Sequence, residues 1–453
     1  MKKNAIRFGR PAPRKTTTTK EPFSVTIERL SHDGRGVARL NGKTVFIDGV
    51  LPDERITAKI TQTHKRHDEA ELISIEQRSA SRIEPTCRHY NDCGGCQLQH
   101  LAADEQIRYK ESNVLSQLKR MSSITPLQVE APILSEAFNY RRSARIGLNV
   151  LQRNDEVMVG FRRKKSNKLL SITQCPVIQD SAGNIFTALQ TGLSSMENPK
   201  QLTHAELQIG DAGLSLTLRC KGGLKSNDKH ALITWANQQS LNLSIQTDTQ
   251  SIVLAQHHED YYELFDGKLR LDFTSGDFLQ INPRLNAKMI DQAINWLTLE
   301  RADNVLDLFC GLGNFTLPIA TRVNSVVGVE GIENMVERAT HNADRNHITN
   351  ANFYRADLSK DLSTHPWFTE SFNKIILDPP RTGAYELLQQ LPTTASHILY
   401  ISCEPSALAR DAELLLQKGY SLTRFGVMDM FPQTNHVESM ALFENTHKSK
   451  KTI

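Results

Sequence analysis

The last third of the sequence alternates short apolar runs with helical stretches, and this alternation restricts the possible folds more than any other feature. The runs have the length and composition of buried strands. They lie at 304–309, 325–329, 352–354, 374–377 and 397–401. Strands that alternate with helices form a parallel, doubly wound sheet, which binds its ligands at the carboxyl ends of the strands. We therefore predict a Rossmann-like α/β domain over residues 276–453.

The turn after the first of these strands is typical of a cofactor-binding loop. It contains Gly311 and Gly313, and glycine between a strand and a helix lets a cofactor approach the backbone closely. Glu330, at the end of the second strand, is placed to accept hydrogen bonds from two ribose hydroxyls, and Asp357, after the third strand, to meet an adenine amine. A nicotinamide dinucleotide is the alternative ligand, but Thr316 replaces the third glycine of that motif. We predict S-adenosylmethionine, with helix capping as the structural alternative for Asp357.

Two strand ends that contain proline carry the reactive groups. Residues 378–381 are Asp-Pro-Pro-Arg and residues 402–405 are Ser-Cys-Glu-Pro, and stiff prolines fix where neighbouring side chains point. Many amino-methyltransferases have an aromatic residue after the double proline to hold the target amine, but Arg381 stands there in this chain. This argues against an exocyclic nitrogen as the target and leaves Cys403 as the reactive group.

Cys403 predicts methylation of a carbon atom that is too weak a nucleophile to react directly. A thiolate that adds to C6 of a uracil pushes electron density onto C5, and a nearby cation such as Arg381 would favour the thiolate. A base must then remove the C5 proton, and Glu438, just before the apolar run 440–443, is the candidate. From the residues alone, structural roles for Cys403 and Glu438 stay open.

Three of the seven cysteines, Cys87, Cys93 and Cys96, lie close together with the spacing C-x5-C-x2-C. Thiols this close on a glycine-containing loop indicate a soft metal or a cluster, and Cys175 is the best fourth ligand. A four-cysteine zinc site and free structural cysteines remain alternatives. Radical S-adenosylmethionine enzymes would show C-x3-C-x2-C, which this chain lacks.

The first eighty residues combine a basic tail with a β-rich segment. The net charge of +4 is too small to indicate nucleic-acid binding by itself, but residues 1–20 contain seven lysines and arginines and no acidic residue. We predict a disordered basic tail over 1–21, able to reach phosphates or merely solvated. Short β-rich runs and turn signals then predict a small barrel over 22–80. Residues 31–38, 45–47 and 49–54 resemble the TRAM domain, an OB-like β-barrel associated with RNA-modifying enzymes.

The region 81–275 is predicted to be β-rich, with a helix over 105–120 and a largely antiparallel sheet over 140–272. A second basic cluster, 162–168, falls in a predicted hairpin loop and is either an RNA contact or a solvated turn. His257 and His258 are predicted to lie on a strand, facing opposite sides in surface or packing roles. No stretch is long and apolar enough for a membrane span, and no secretory signal begins the chain. We therefore expect a cytoplasmic protein.

Four motifs together resemble the RNA uracil-C5 methyltransferase family: 309–315 (FCGLGNF), 377–381 (LDPPR), 401–405 (ISCEP) and 436–438 (HVE). The resemblance implies Cys403 as the nucleophile and Glu438 as the proton acceptor. It implies that Cys87, Cys93, Cys96 and Cys175 hold a four-iron, four-sulfur cluster, as in one branch of the family. The residues implied for the cofactor site are Gln280, Phe309, Asn314, Glu330, Asp357 and Asp378.

The order of barrel, cluster region and catalytic domain is similar to the branch of the family that methylates uracil 1939 of 23S ribosomal RNA. The resemblance thus implies 23S ribosomal RNA as the partner, gripped by the barrel and basic tail, with the target base turned out into the cleft. We expect a monomer without an obligatory protein partner. A transfer-RNA or dual-site uridine methyltransferase, and a non-catalytic RNA-binding assembly factor, are the alternatives.

Overall fold

The computed structural model of the chain describes residues 21–153 and 155–445. These residues form two compact units. The first contains residues 21–84 and 100–102, and the second contains residues 85–99 and 103–445. The predicted basic tail, apart from Glu21, lies outside the described residues.

The first unit is a six-stranded sheet in the order β1-β5-β6-β4-β3-β2. Its pairs are antiparallel except for β4 with β6. Gly36 is required at the start of β3, because a Cβ there would lie 2.2 Å from Cγ2 of buried Val50. Strands thus form in this segment, as its short β-rich runs predicted. The strands are β1 (Phe23–Thr26), β2 (Arg29–Leu30), β3 (Gly36–Leu40), β4 (Lys43–Ile47), β5 (Arg55–Thr63) and β6 (His67–Gln77).

The second unit begins with a long helix and a seven-stranded sheet in the order β10-β9-β8-β11-β12-β13-β14. The sheet is antiparallel as predicted, except that β12 and β13 pair in parallel. Helix α3 connects these two strands, since parallel neighbours need a crossover connection. The elements are α1 (Ala103–Ser122), β7 (Gln128–Val129), β8 (Ser143–Val150), β9 (Val157–Arg162), β10 (Leu169–Ser171), α2 (Ile185–Ser194), β11 (Leu202–Ile209), β12 (Leu214–Cys220), α3 (Ser226–Gln239), β13 (Asn242–Gln246) and β14 (Ser251–Ala255).

Helices α2 and α3 were not predicted from the sequence, and the two adjacent histidines were placed wrongly. His257 and His258 follow β14 rather than lying on a strand. The His258 ring contacts the carbonyl of Leu214 through Nε2, at 3.1 Å. The predicted strand is therefore wrong, while His257 is exposed and half-buried His258 contacts the backbone, which fits the predicted surface or packing roles.

The remaining elements build an eight-stranded sheet in the order β19-β18-β17-β20-β21-β23-β22-β7. Strands β17 to β21 are parallel, as the alternation predicts, while β23 runs antiparallel to β21 and to β22. A small hairpin, β15–β16, precedes this sheet. The elements are β15 (Tyr261–Leu264), β16 (Leu269–Asp272), α4 (Pro283–Leu297), β17 (Asn304–Leu308), α5 (Thr316–Ala320), β18 (Ser325–Glu330), α6 (Glu333–Arg345), β19 (Ala351–Arg355), β20 (Lys374–Leu377), α7 (Tyr385–Gln390), β21 (His397–Ser402), α8 (Pro405–Gln417), β22 (Tyr420–Met428) and β23 (Glu438–Asn445).

Local sequence explains where the helices next to the strand ends begin. Pro283 and Pro405 each occupy the first turn of a helix, where their missing N–H costs nothing. The side chain of Asn282 accepts a hydrogen bond from the Leu285 N–H at 3.2 Å, and that of Glu404 caps α8 in the same way. Within the described part of the chain, no helix is long and apolar enough to cross a membrane.

Candidate active site

Cys403 and Glu438 are neighbours because of the register of the last strand. Strand β21 ends at Ser402, and antiparallel β23 begins at Glu438, with Ser402 opposite Ser439. The Ser439 hydroxyl donates to the Ser402 carbonyl at 3.2 Å. The residue after β21 and the first residue of β23 therefore lie at the same edge of the sheet.

Burial and neighbouring charge determine the state of the Cys403 thiol. Burial raises its pKa to about 11, and the adjacent carboxyl of Glu438 acts in the same direction. The exposed Arg381 opposes them, because a nearby cation stabilises the thiolate. Burial and Glu438 thus favour the protonated thiol, and Arg381 favours the thiolate.

The two carboxyls beside Cys403 are also shifted. Glu438 is only 7% exposed, and burial raises its pKa well above the usual value, with Asp378 adding to the effect and Arg381 opposing it. Burial raises the pKa of Asp378 to about 7. Its Oδ2 accepts a hydrogen bond from Nε2 of Gln280 at 3.2 Å. Buried carboxyls whose pKa is raised in this way have a higher proton affinity than exposed ones, which suits them to acid–base work.

The glycine turn after β17 adopts the conformation that a close backbone approach requires. Gly311 and Gly313 have φ of +58° and +95°, and Phe309 has φ of +65°, which is rare for a residue with a side chain. The Phe309 N–H donates to the Val329 carbonyl at 2.9 Å, which holds the turn beside the end of β18. Strain of this kind at a strand end is common where a ligand binds.

Glu330 closes this turn from the neighbouring strand. Its Oε2 accepts from the Gly311 N–H at 3.2 Å. Its Oε1 accepts from the N–H groups of Gly331 and Ile332 at 2.8 and 3.0 Å. The carboxylate predicted to hold a ribose therefore stands beside the glycine turn.

Two other predicted cofactor residues have structural contacts that the sequence did not reveal. Asn314 exchanges hydrogen bonds with the side-chain amide of Asn286 at 2.8 and 2.9 Å, and its Oδ1 accepts from the Tyr262 hydroxyl. Asp357 is exposed, and hydrogen bonds from Ser359, with help from Lys360, lower its pKa to about 2. Asp357 stabilises a local turn rather than a helix, because the next helical element begins only at Pro366, so the helix-capping alternative is wrong.

Asp307 is a buried residue of this region that sequence reasoning missed. It is fully buried in β17, its Oδ2 accepts a hydrogen bond from the Thr316 hydroxyl, and its Oδ1 has no hydrogen-bond partner within the described chain. Burial raises its pKa to about 7. The sequence signal was a lone acidic residue inside an apolar strand.

The four predicted metal-ligating cysteines meet at a second site. Cys87, Cys93, Cys96 and Cys175 all line one cavity of about 220 Å³, whose walls also include Phe161 and Ile172. Burial raises the pKa of the Cys96 thiol to about 12 and that of Cys175 to about 11. Metal binding would displace the protons that these thiols hold.

The separation of the sulfur atoms tests which group fits this cavity. Zinc in a four-cysteine site, with Zn–S of about 2.3 Å, would bring the sulfurs to within about 3.8 Å of one another. Across the described chain, three potential ligand atoms come within 4.8 Å only at His64, His67 and Glu69. No three of the cavity's sulfurs are therefore that close. A group larger than one zinc ion, such as an iron–sulfur cluster, fits the spacing and the cavity volume better.

The basic loop between β9 and β10 packs against residues 87–96, which carry Cys87, Cys93 and Cys96 and which we call the cysteine loop. Arg163 pairs with Asp92 at 3.0 Å, and the Lys164 ammonium lies over the Tyr90 ring, 4.1 Å from its centroid. Gly94 donates its N–H to the Arg162 carbonyl at 2.9 Å. The predicted hairpin is confirmed, and part of its charge is engaged with the cysteine loop.

Comparison with known proteins gives the family. The family model described as tRNA (Uracil-5-)-methyltransferase matches residues 103–446, and the TRAM domain model matches residues 18–73. The chain belongs to the uracil-C5 methyltransferase family. Membership confirms the predicted enzyme class, an S-adenosylmethionine-dependent uracil-C5 methyltransferase, and the TRAM match confirms the N-terminal module.

Relatives within the uracil-C5 methyltransferase family cover nearly the whole chain. A 23S rRNA (uracil(1939)-C(5))-methyltransferase of Vibrio parahaemolyticus is 40% identical over 96% of this chain and 98% of its own length. The protein of the same name from Psychromonas ingrahamii is 43% identical over 96% of this chain and 99% of its own. The Pyrococcus abyssi tRNA (uracil-54, C5)-methyltransferase, solved with S-adenosyl-L-homocysteine, matches 93% of this chain and 100% of its own with a TM-score of 0.73. At 22% identity, that structure supports the fold.

Proposed function

We propose that the protein methylates C5 of uracil 1939 in 23S ribosomal RNA, with S-adenosylmethionine as the methyl donor. Relatives that carry this activity in their names match the chain almost end to end. The single observation that supports this chemistry is that Cys403 and Glu438 lie together at one edge of the sheet, beside Arg381 and Asp378.

Cys403 is the nucleophile of the proposed reaction. The half-buried Cys403 thiol gives its proton to solvent water, and Arg381 stabilises the thiolate that results, which opposes part of the effect of burial. The thiolate adds to C6 of the uracil, and the electron pair displaced from the C5–C6 double bond makes C5 nucleophilic. S-adenosylmethionine supplies the methyl group that C5 takes.

Glu438 removes the C5 proton in the second half of the reaction. Its burial and the nearby Asp378 raise its proton affinity, which makes its carboxylate a stronger base than an exposed glutamate. Loss of the proton restores the C5–C6 double bond, and the bond between C6 and sulfur breaks. Cys403 is then free for another turnover.

The cofactor-site assignment is part of the proposal. The glycine turn and Glu330 supply the cofactor-facing backbone and the ribose contact, and Gln280 orients Asp378 at the end of β20. Asp357 is a weaker contributor, because its carboxylate already accepts from Ser359. The proposed set is Gln280, Phe309, Asn314, Glu330, Asp357 and Asp378.

We further propose that Cys87, Cys93, Cys96 and Cys175 bind a four-iron, four-sulfur cluster. Methyl transfer is redox-neutral, so the cluster is not required as an electron carrier. Its role is to hold the fold of this region and to dock RNA, and the basic loop 162–168 packs against Asp92 and Tyr90, which lie between the proposed ligands Cys87 and Cys93. We also propose the division into 22–80, 81–275 and 276–453, a cytoplasmic location and a monomeric enzyme.

The deciding experiment uses unmodified 23S ribosomal RNA and transfer RNA, each labelled with tritium at uracil C5. We expect the protein and S-adenosylmethionine to release tritium from the ribosomal RNA alone. Release from transfer RNA would keep the chemistry and overturn the substrate. Release from neither would exclude C5 methylation.

A further inference from the structure

The segment between β22 and β23, residues 429–437, leads directly into Glu438 and is held by buried polar side chains. Its Gln433 is 3% exposed and has φ of +70°, a left-handed conformation that costs energy outside glycine. Neighbouring groups must therefore hold the backbone in place here. We call residues 429–437 the base segment.

Gln106 of α1 forms a reciprocal amide contact with Gln433. The Gln433 N–H donates to Oε1 of Gln106 at 3.0 Å, and Nε2 of Gln106 donates to Oε1 of Gln433 at 3.1 Å. Gln106 is 1% exposed, so either group would be left without water if its partner were lost. We call this pair the glutamine clasp.

The glutamine clasp also contacts the segment that directly follows Cys96. The N–H groups of Gln97 and Leu98, the two residues after Cys96, both donate to the Gln433 carbonyl at 3.0 Å. Nε2 of Gln106 also reaches the Leu98 carbonyl at 3.1 Å. A continuous set of buried hydrogen bonds thus runs from the residues next to Cys96 to the base segment.

Two further contacts hold the base segment to the same region. Lys110 is 1% exposed and donates to Oδ1 of Asp429 at 2.7 Å and to the Phe431 carbonyl at 3.0 Å. The hydroxyl of Tyr140, the neighbour of cavity-lining Arg141, donates to the Pro432 carbonyl at 3.0 Å. The base segment is therefore attached both to α1 and to the residue next to the wall of the cysteine cavity.

We propose that Gln106 and Gln433 are positioning residues through which the cysteine loop sets the place of the Glu438 carboxylate. This inference rests on the proposed role of Glu438 as the C5 base. Displacing a reacting group by about 1 Å can slow a step by about 100-fold. Filling the cysteine cavity would thus fix the base, and emptying it would loosen the base while leaving Cys403 on its own strand end.

The first test is Gln106→Met, which keeps the side-chain length and removes the clasp. In single-turnover reactions, we expect methyl transfer into the covalent protein–RNA adduct at the wild-type rate and decay of the adduct slowed about 10- to 100-fold. The methylated adduct then accumulates and can be counted as a band that survives denaturing electrophoresis. Glu438→Gln serves as the reference for full accumulation.

The matched control is Asn445→Leu, which removes a buried amide from the opposite end of the same strand. Asn445 is 5% exposed, and its amide donates to the Thr393 carbonyl at 3.0 Å. We expect this variant to lose thermal stability without accumulating adduct. Equal adduct decay in Gln106→Met and wild type, or equal accumulation in Asn445→Leu, would overturn the inference.

The second test needs no variant. Hydrogen exchange is measured on the wild-type protein prepared anaerobically, before and after iron is removed by chelation. We expect faster exchange in the base segment after chelation, with β17 and β18 unchanged, and unchanged exchange in the base segment would contradict the proposal. If Glu438→Gln fails to trap adduct, the proposed function fails by itself, and the exchange measurement still decides whether the cysteine loop holds the base segment.

Discussion

The active site and the cysteine cavity both contain buried thiols, yet their surroundings prepare them for different chemistry. Burial raises the pKa of Cys403 and of Cys175 alike, each to about 11. Arg381 and Glu438 act on the pKa of Cys403, whereas backbone N–H groups and the thiols of Cys87 and Cys93 act on that of Cys175. Burial therefore does not distinguish a nucleophile from a ligand. Under the proposed roles, Cys403 and Cys175 are distinguished by the groups around them, Arg381 and Glu438 beside the one and further thiols beside the other.

The largest expected effect comes from removing the nucleophile. Cys403→Ala should lower tritium release from 23S ribosomal RNA by about 10⁴-fold or more, because the proposed addition of the thiolate to C6 is lost. Cys220→Ala is the matched control, since Cys220 is buried in β12 and lines neither site. If Cys403→Ala kept a tenth of wild-type activity, the proposed difference between Cys403 and the cysteines of the cavity would be wrong.

Removing the base should separate the two halves of the reaction. Glu438→Gln should slow adduct resolution by about 10²- to 10⁴-fold, the usual contribution of a general base, while the methylated adduct still forms. Rapid-quench electrophoresis with labelled methyl donor measures both steps. Glu444→Gln, on the same strand and partly exposed, is the control and should turn over normally.

The cysteine cavity should respond differently from the active site. Cys175→Ser should reduce bound iron and weaken RNA binding by about tenfold, because a ligand of the proposed cluster is lost. Iron analysis and filter binding measure these effects, with Cys220→Ser as the control. RNA binding that is equal with and without iron would show that the cluster has no docking role.

The smallest expected effect is on stability. It tests whether burial of the ionised Asp378 carboxylate lowers the free energy of unfolding. Because the folded-state pKa of Asp378 is raised to about 7, its protonated form favours folding. That contribution is present at acidic pH and is lost as pH rises towards neutrality. Asp378→Asn, which stays neutral, should therefore raise Tm by a few degrees at pH 8 and by less at pH 5. A larger gain at pH 5 than at pH 8 would contradict the shift.

Sequence patterns predicted the parts of this molecule that depend on local composition. The apolar runs of β17 to β21 and the acids and cysteine at their ends identified the sheet edge correctly. Helices α2 and α3 were missed, because α2 is rich in β-branched and aromatic residues and α3 has few apolar residues at helical spacing.

Contacts between residues far apart in the sequence could not be predicted from it. Gln106 and Gln433 are 327 positions apart, and neither stands in a motif that indicates their pairing. The hydrogen bonds between the side-chain amides of Asn314 and Asn286 could not be predicted for the same reason. The roles of the site residues remain predictions, which the variants above test.

The register of β23 limits how the length of the chain can change. Successive side chains of a strand point to opposite faces, so a shift of one residue would turn Glu438 away from Cys403, and a shift of two would restore the facing but move the carboxylate along the strand. Both faces of β23 are buried, which leaves no neutral alternative pairing. Single-residue insertions or deletions in residues 429–437 should therefore be purged by natural selection.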